Sequence, residues 1–268
     1  MRTEILKGLR EFELKENVQI LLASEVGSHA WGYASSSSDY DIRFIFVYPP
    51  ERYLTIDNPK EGIDLVINDQ LDFRGWELRK TLRLFRKSNP SLFEALHSPV
   101  IYKKDEAFFS RMIELESGIF SKSTCYSHYF HMARQNLKAW ESAVDPPIKL
   151  LFHCLRPVLM CKWLEEQPSL PPLSLPKLLA DYEPSLNVLF EALHRKRHKY
   201  GNLIKKNTLE AEALHAFIAD TYKEIEQKRL NENEDGRAKG TGSRNEFIDE
   251  RLNDLFRHML KVTFPGSF

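Results

Sequence analysis

The run from Asp39 to Val47, Asp-Tyr-Asp-Ile-Arg-Phe-Ile-Phe-Val, constrains this chain more than any other segment. Polar and apolar residues alternate at its start, apolar residues take over, and Pro49-Pro50 closes it. Aromatic and β-branched residues in that pattern, ended by prolines, predict a β-strand. Successive side chains of a strand point to opposite faces. Asp39 and Asp41 therefore share one face, with Cα atoms about 7 Å apart, while Tyr40 and Ile42 turn toward a core. The fold must bury one side of this strand and leave two carboxylates at the beginning of the other.

The neighbouring segments supply the rest of such a sheet. Residues 3–15 place Ile5, Leu6, Leu9 and Phe12 at helical spacing, a single apolar stripe suited to packing on strands. Residues 18–22 form a short apolar run that ends in a turn-rich stretch, the pattern of a buried strand. Residues 63–67 and 70–73 predict further strands, after which Gly75 opens a helical pattern through Trp76, Leu78, Leu82, Leu84 and Phe85. There the strands are expected to stop. Asn89-Pro90 is an N-cap followed by a first-turn proline and starts a helix over residues 91–97. Later helices are predicted over 106–116, 123–142, 149–165, 184–200, 208–230 and 246–261. A proline-rich spacer, residues 167–176, separates two of them, and residues 231–242 read as an exposed flexible linker. The expected architecture is α/β of the α+β kind: a small mixed-sheet core in residues 1–103, followed by an all-helical region in residues 104–268.

Composition narrows the function classes. Lysine plus arginine equals aspartate plus glutamate at 38 each, so any preference for nucleic acid or another polyanion must be local. The charged N-terminus lacks the apolar stretch of a signal peptide, and no run approaches a membrane span of about 18 apolar residues. The expectation is a soluble, cytoplasmic protein without a membrane partner. Cys125, Cys154 and Cys161 share no C-x-x-C spacing and are expected as core thiols. His128 with His131, and His194 with His198, have helical spacing but no further ligands nearby in sequence, which argues against zinc.

The chemistry concentrates between Val18 and Val47. Two carboxylates on one strand face can bridge the paired hard cations that nucleotidyl transfer uses, about 4 Å apart. Upstream, a strand delivers the backbone to Gly27-Ser28, where a residue without a side chain permits close approach and a following helical turn aims N–H groups at anionic oxygens. Alone, Asp-x-Asp at a strand mouth is commonly a solvated turn. Strand, Gly-Ser, a small-residue segment and Ser-Asp-Tyr-Asp entering a second apolar strand agree in order and spacing.

Those residues resemble the signature of the DNA-polymerase-β-like nucleotidyltransferase superfamily. A closer likeness is to a group of bacterial nucleotidyltransferases that includes an RNA-repair-associated polymerase-like branch, matched at Gly27 to Gly32, Ser38 to Arg43 and Asn89 to Leu96. The resemblance covers about the first hundred residues. It implies an incoming nucleoside triphosphate held with Mg²⁺ or Mn²⁺, transfer of a nucleoside monophosphate to an acceptor hydroxyl, and release of pyrophosphate. Asp39 and Asp41 would carry the metals, and Gly27 and Ser28 would hold the β- and γ-phosphates. A third carboxylate is expected on a following strand, where it binds one metal and helps deprotonate the acceptor. Asp72 is placed ahead of its rival Asp64. His29 stands where related sequences often carry arginine, which weakens a fixed positive charge there. Arg43 shares the face of Asp39 and Asp41 and either contacts phosphate or makes a structural ion pair. The acceptor, an RNA end, a protein or a small molecule, is left open, as is oligomeric state. The alternative is a non-catalytic nucleotide-binding regulator or toxin–antitoxin-type partner on the same fold.

Two basic clusters complete the reading. Arg79, Arg83 and Arg86, or Lys80, Arg83 and Lys87, fall on one face of a helix and suit either solvent or a polyanion. Residues 194–199, His-Arg-Lys-Arg-His-Lys, with Lys205-Lys206 behind them, suit either a phosphate backbone or, by preference, a solvated helix end favoured by its dipole.

Overall fold

The computed structural model describes residues 1–68, 70–201, 208–234 and 246–266. Five strands form one mixed sheet in the order β3-β4-β2-β1-β5, with β1 Gln19–Val26, β2 Tyr40–Val47, β3 Gly62–Asn68, β4 Leu71–Glu77 and β5 Ile101–Lys104. β2 and β4 run parallel, and every other neighbouring pair is antiparallel. Helices α1 Arg2–Glu16, the single turn α2 Gly27–Ala30, α3 Leu78–Arg86, α4 Pro90–Leu96, α5 Glu106–Ile119, α6 Lys122–Ser142, α7 Ile148–Glu166, α8 Leu175–Tyr182, α9 Pro184–Tyr200, α10 Leu209–Glu234 and α11 Glu246–Thr263 account for most of the remainder.

α1 closes one face of the sheet. Ile5, Leu9 and Phe12 are buried against Ile20, Ala23, Ile42, Phe44, Phe46 and Phe73, and the Phe12 ring meets those of Phe44 and Phe46 edge-on at 4.9 and 5.6 Å. Leu6, expected in the buried stripe, is 40% exposed because it lies on the flank of the turn. Asn17 ends the helix in the left-handed conformation, its N–H returning to the Glu13 carbonyl. Tyr40 and Ile42 face this core as strand alternation requires.

Three local expectations are corrected. Gly75 does not open a helix: β4 continues to Glu77, and Gly75 stands opposite Phe44, where a Cβ would lie 2.4 Å from two ring atoms. The glycine makes room for an aromatic ring across the strand pair. The helix begins after Glu77, whose carboxylate accepts from the N–H groups of Arg79 and Lys80. Strands also do not stop there, because Ile101–Lys104 adds to the β1 edge. The proline-rich spacer ends inside α8, where Pro176 occupies the first turn and its missing N–H costs nothing. Asn89 caps α4 as read, accepting from the Leu92 N–H at 3.1 Å.

The chain divides into two compact units. The first comprises Met1–Ala30, Ser38–Ser121 and Ser243–Phe268, so it holds the sheet, α1 to α5 and α11. The second comprises Trp31–Ser37 and Lys122–Gly242. Within the first unit, α5 packs on β1 and on α11. Within the second unit, α7 is buried along most of its length, with Phe152 against Phe190 at 5.0 Å. Cys125, Cys154 and Cys161 are buried there and form no disulfide among the described residues, and burial pushes Cys154 up to about 12. Trp31–Ser37 packs in the same interior. Arg197 donates to the Tyr33 carbonyl, the Arg156 guanidinium stacks 4.2 Å from the Trp31 ring centroid, and the Leu175 N–H reaches the Trp31 carbonyl. Lys196 pairs with Glu210 at 2.6 Å, so part of the basic run in 194–199 serves the fold; Lys205-Lys206 and most of the predicted linker lie outside the described residues. Among the described residues no helix is long and apolar enough to cross a membrane.

Candidate active site

The sheet face opposite α1 carries the polar residues singled out in the sequence. Register partners on adjacent strands project to the same side, so the pairings sort this face into rows. Val26, Asp41 and Asp72 share one row across β1, β2 and β4. Ser24, Arg43, Arg74 and Asp64 share the next. Asp72 is thus the immediate cross-strand neighbour of Asp41, and Asp64 sits one row further along. Asp39 lies one residue ahead of β2, which begins at Tyr40, so it extends the strand's mouth and is not itself a strand residue.

Gly27 follows β1 at φ +70, and its backbone is pressed against the Asp41 side chain: a Cβ built on it would lie 2.1 Å from Asp41 Oδ2. L-residues with a side chain rarely adopt this φ, and none has the space here. Ser28, next in the turn, is 1% exposed, and its Oγ has no hydrogen-bond partner among the described residues. His29 stacks on Tyr40 at 4.1 Å, its Nε2 lying 3.5 Å from the Ser38 carbonyl oxygen. The ring therefore braces the turn against the first residue of β2.

Glu25 escaped the sequence reading. It is 1% exposed, its Oε1 accepts from the Asp41 backbone N–H at 2.9 Å, and its Oε2 accepts from the Tyr102 hydroxyl of β5. Burial pushes its carboxyl up to about 7; the hydrogen bonds from Tyr102 and Asp41 oppose this, and the nearby Asp41 and Asp39 carboxylates reinforce it. Both aspartates are accordingly close enough to act on one buried acid. A polar residue at the end of an apolar strand was the available sign.

Arg74 binds Asp72 Oδ2 through Nε and Nη2 at 3.1 and 3.0 Å. Arg43 lies with its guanidinium 4.6 Å from the Trp76 ring centroid, and burial, then the proximity of Arg74, lowers its pKa against the opposing pull of Asp72, Asp64 and Asp41. An arginine stays charged under such shifts. The face therefore alternates an acidic row with a basic one. Among the described residues no three His, Cys, Asp or Glu side chains gather into a set that would hold a metal ion by themselves. Hard carboxylate oxygens on neighbouring strands still match Mg²⁺, which keeps several waters and is commonly held by one or two carboxylates together with substrate phosphates.

Comparison with known proteins adds three findings. Residues 1–258 match the model of a family described as RNA repair pathway DNA polymerase beta family. A Bacillus subtilis (strain 168) protein, the uncharacterized protein YcgL, is 37% identical over 229 residues, 84% of this chain and 86% of its own length. A solved nucleotidyltransferase-like protein from Exiguobacterium sibiricum 255-15 gives a TM-score of 0.38 at 12% identity, over 97% of this chain and 92% of that one.

Proposed function

The chain belongs to the RNA repair pathway DNA polymerase beta family, and from that premise we propose that it transfers a nucleoside monophosphate from a nucleoside triphosphate to an acceptor hydroxyl, with an RNA end as the preferred acceptor. The observation that carries this reading is the seating of Asp41 between the Gly27 backbone and Asp72. Nucleotidyl transfer needs carboxylates beside a place for the triphosphate tail, and this row supplies both.

In this reading Asp39, Asp41 and Asp72 hold Mg²⁺ or Mn²⁺, which would neutralise the phosphate oxygens and polarise the reacting phosphorus. Gly27 and the buried Ser28 hydroxyl bind the triphosphate tail, the hydroxyl finding in a phosphate oxygen the acceptor it otherwise lacks among the described residues. His29 donates from its braced position, and Arg43 offers a guanidinium one row away. Asp72 accepts the proton of the acceptor hydroxyl as its oxygen bonds to the α-phosphorus. The bond from that phosphorus to the bridging oxygen breaks, and pyrophosphate leaves. Such a protein works where nucleoside triphosphates are plentiful, in the cytoplasm.

Incubating the protein with α-labelled nucleoside triphosphates, Mg²⁺ or Mn²⁺ and RNA of defined ends tests this directly. Label should appear on the RNA with matching pyrophosphate. Its absence from RNA, protein and small-molecule acceptors alike would overturn the proposal. The two Arg74 bonds to Asp72 favour a second reading, a nucleotide-binding regulator or partner protein in which that carboxylate is occupied. Nucleotide binding without turnover, unchanged in Asp72→Asn, distinguishes it.

A further inference from the structure

The first unit contains a second polar concavity, remote from the acidic row. α3 starts after Glu77, five residues along β4 from Asp72, or about 16 Å of strand. Between α3 and α11 lies an open groove of about 380 Å³, walled by Arg79, Arg83 and Arg86 on one side and by Asp249, Asn253 and Phe256 on the other. Of the two basic faces the sequence offered for this helix, the structure turns this one into a groove.

The arginines are held without being saturated. The Arg79 guanidinium lies 5.0 Å from the Tyr53 ring centroid and 5.4 Å from that of Phe256, which fixes its plane, and its one side-chain hydrogen bond among the described residues is a long one, 3.5 Å, to Asn58. Arg83 meets Glu61 and Arg86 meets Asp249, each through Nη1 alone. A guanidinium carries five N–H donors in a fork that suits two oxygens at once. Among the described residues, most donors of all three forks therefore meet no acceptor, and Asp249 is the one carboxylate in the groove wall.

The row they make is long. Seven residues of helix separate Arg79 from Arg86, about 10 Å at 1.5 Å per residue. One phosphate group cannot reach all three, but a run of linked phosphates can. Phe256, half-buried in the opposite wall, puts an aromatic ring beside the guanidinium row, the combination that serves bases and backbone of a single strand together. We propose that the α3–α11 groove binds the sugar-phosphate backbone of a single-stranded polynucleotide, with Arg79, Arg83 and Arg86 on successive phosphates and Phe256 against a base.

Fluorescence anisotropy of a labelled single-stranded RNA oligonucleotide, titrated at several salt concentrations, tests this without any turnover. Each phosphate contact adds about 0.7 to the slope of log affinity against log salt for a single strand. The R79Q/R83Q/R86Q protein should bind at least ten-fold more weakly and lose about 2 from that slope, whereas R79K/R83K/R86K should keep the slope. That contrast separates lost charge from lost folding, which thermal unfolding of both proteins checks. Phe256→Leu should weaken RNA and leave inorganic polyphosphate unaffected. Equal affinity and slope in the glutamine variant would overturn the proposal, as would competition by polyphosphate as strong as that by unlabelled RNA. The titration contains no nucleoside triphosphate, so failure of nucleotidyl transfer does not bear on this groove.

Discussion

The backbone of Gly27 and the carboxylate of Asp41 occupy space that no side chain at position 27 can share. An added Cβ would lie 2.1 Å from Oδ2 and 2.9 Å from Cγ, and the φ of +70 already disfavours any other residue. Gly27→Ala therefore has two costs: about 1–2 kcal/mol for the left-handed backbone, and displacement of Asp41 from the turn. Thermal unfolding should show a lowered midpoint, and nucleotidyl transfer should fall by more than ten-fold. A variant that unfolds earlier but transfers normally would separate the turn from the chemistry.

The register sets the two proposed candidates for the third carboxylate in different rows. Asp72 is the rung partner of Asp41, and Asp64 stands in the row of Arg74 and Arg43. Metal-assisted charge stabilisation is worth several kcal/mol, and each 1.36 kcal/mol is tenfold in rate. Asp41→Asn and Asp72→Asn should each lower kcat by on the order of 10³-fold, while Asp64→Asn stays within a few-fold of the parent. Steady-state kinetics on the three proteins decides the assignment, and a large loss in Asp64→Asn with a small one in Asp72→Asn would reverse it.

Glu25 holds Asp41 from behind. Glutamine at this position keeps an oxygen for the Asp41 N–H and an amide group for the Tyr102 hydroxyl, whereas alanine leaves both without their present partner. Leaving two half-buried polar groups without partners costs about 1–3 kcal/mol each, toward the lower end where water reaches them. Glu25→Ala should lose stability of that order in urea titration together with most transfer activity, and Glu25→Gln should recover the larger part of both. Equal behaviour of the two variants would mean that these bonds do not position Asp41.

The contrast between Asp41 and Glu25 shows how far residues alone can be read. Asp41 was legible because strand alternation is a local rule: Ile42, Phe44 and Phe46 fix one face, so the carboxylate must lie on the other. The role of Glu25 depends on β5, and β5 itself was not legible. Ile101-Tyr102-Lys103-Lys104 is short and at most half-buried, and becomes a strand only by pairing with β1, eighty residues earlier. Gly75 misled for a related reason. Its meaning lies in the Phe44 ring across the sheet, a contact that neither segment reveals by itself. The order strand, Gly-Ser turn, strand carrying Asp41 is legible because its parts are contiguous, with Asp39 one residue ahead of that strand.

The second unit carries its own pH dependence. His153 of α7 packs among Trp31 and Tyr33, and burial lowers its pKa from 6.5 to about 4, with Lys149, Arg156 and Arg197 adding repulsion. Between those two values the unfolded chain binds the proton and the folded one does not, so stability rises with pH across this window. The contribution is complete above about pH 6.5 and is lost as pH falls through that value toward 4. At 1.36 kcal/mol per unit, the full span is worth about 3 kcal/mol. Urea midpoints measured from pH 7 to pH 4 should fall more steeply for the parent than for His153→Phe, which keeps a ring of similar size and removes the titration. Parallel curves, offset by a constant amount, would show that His153 is not the group that senses acid.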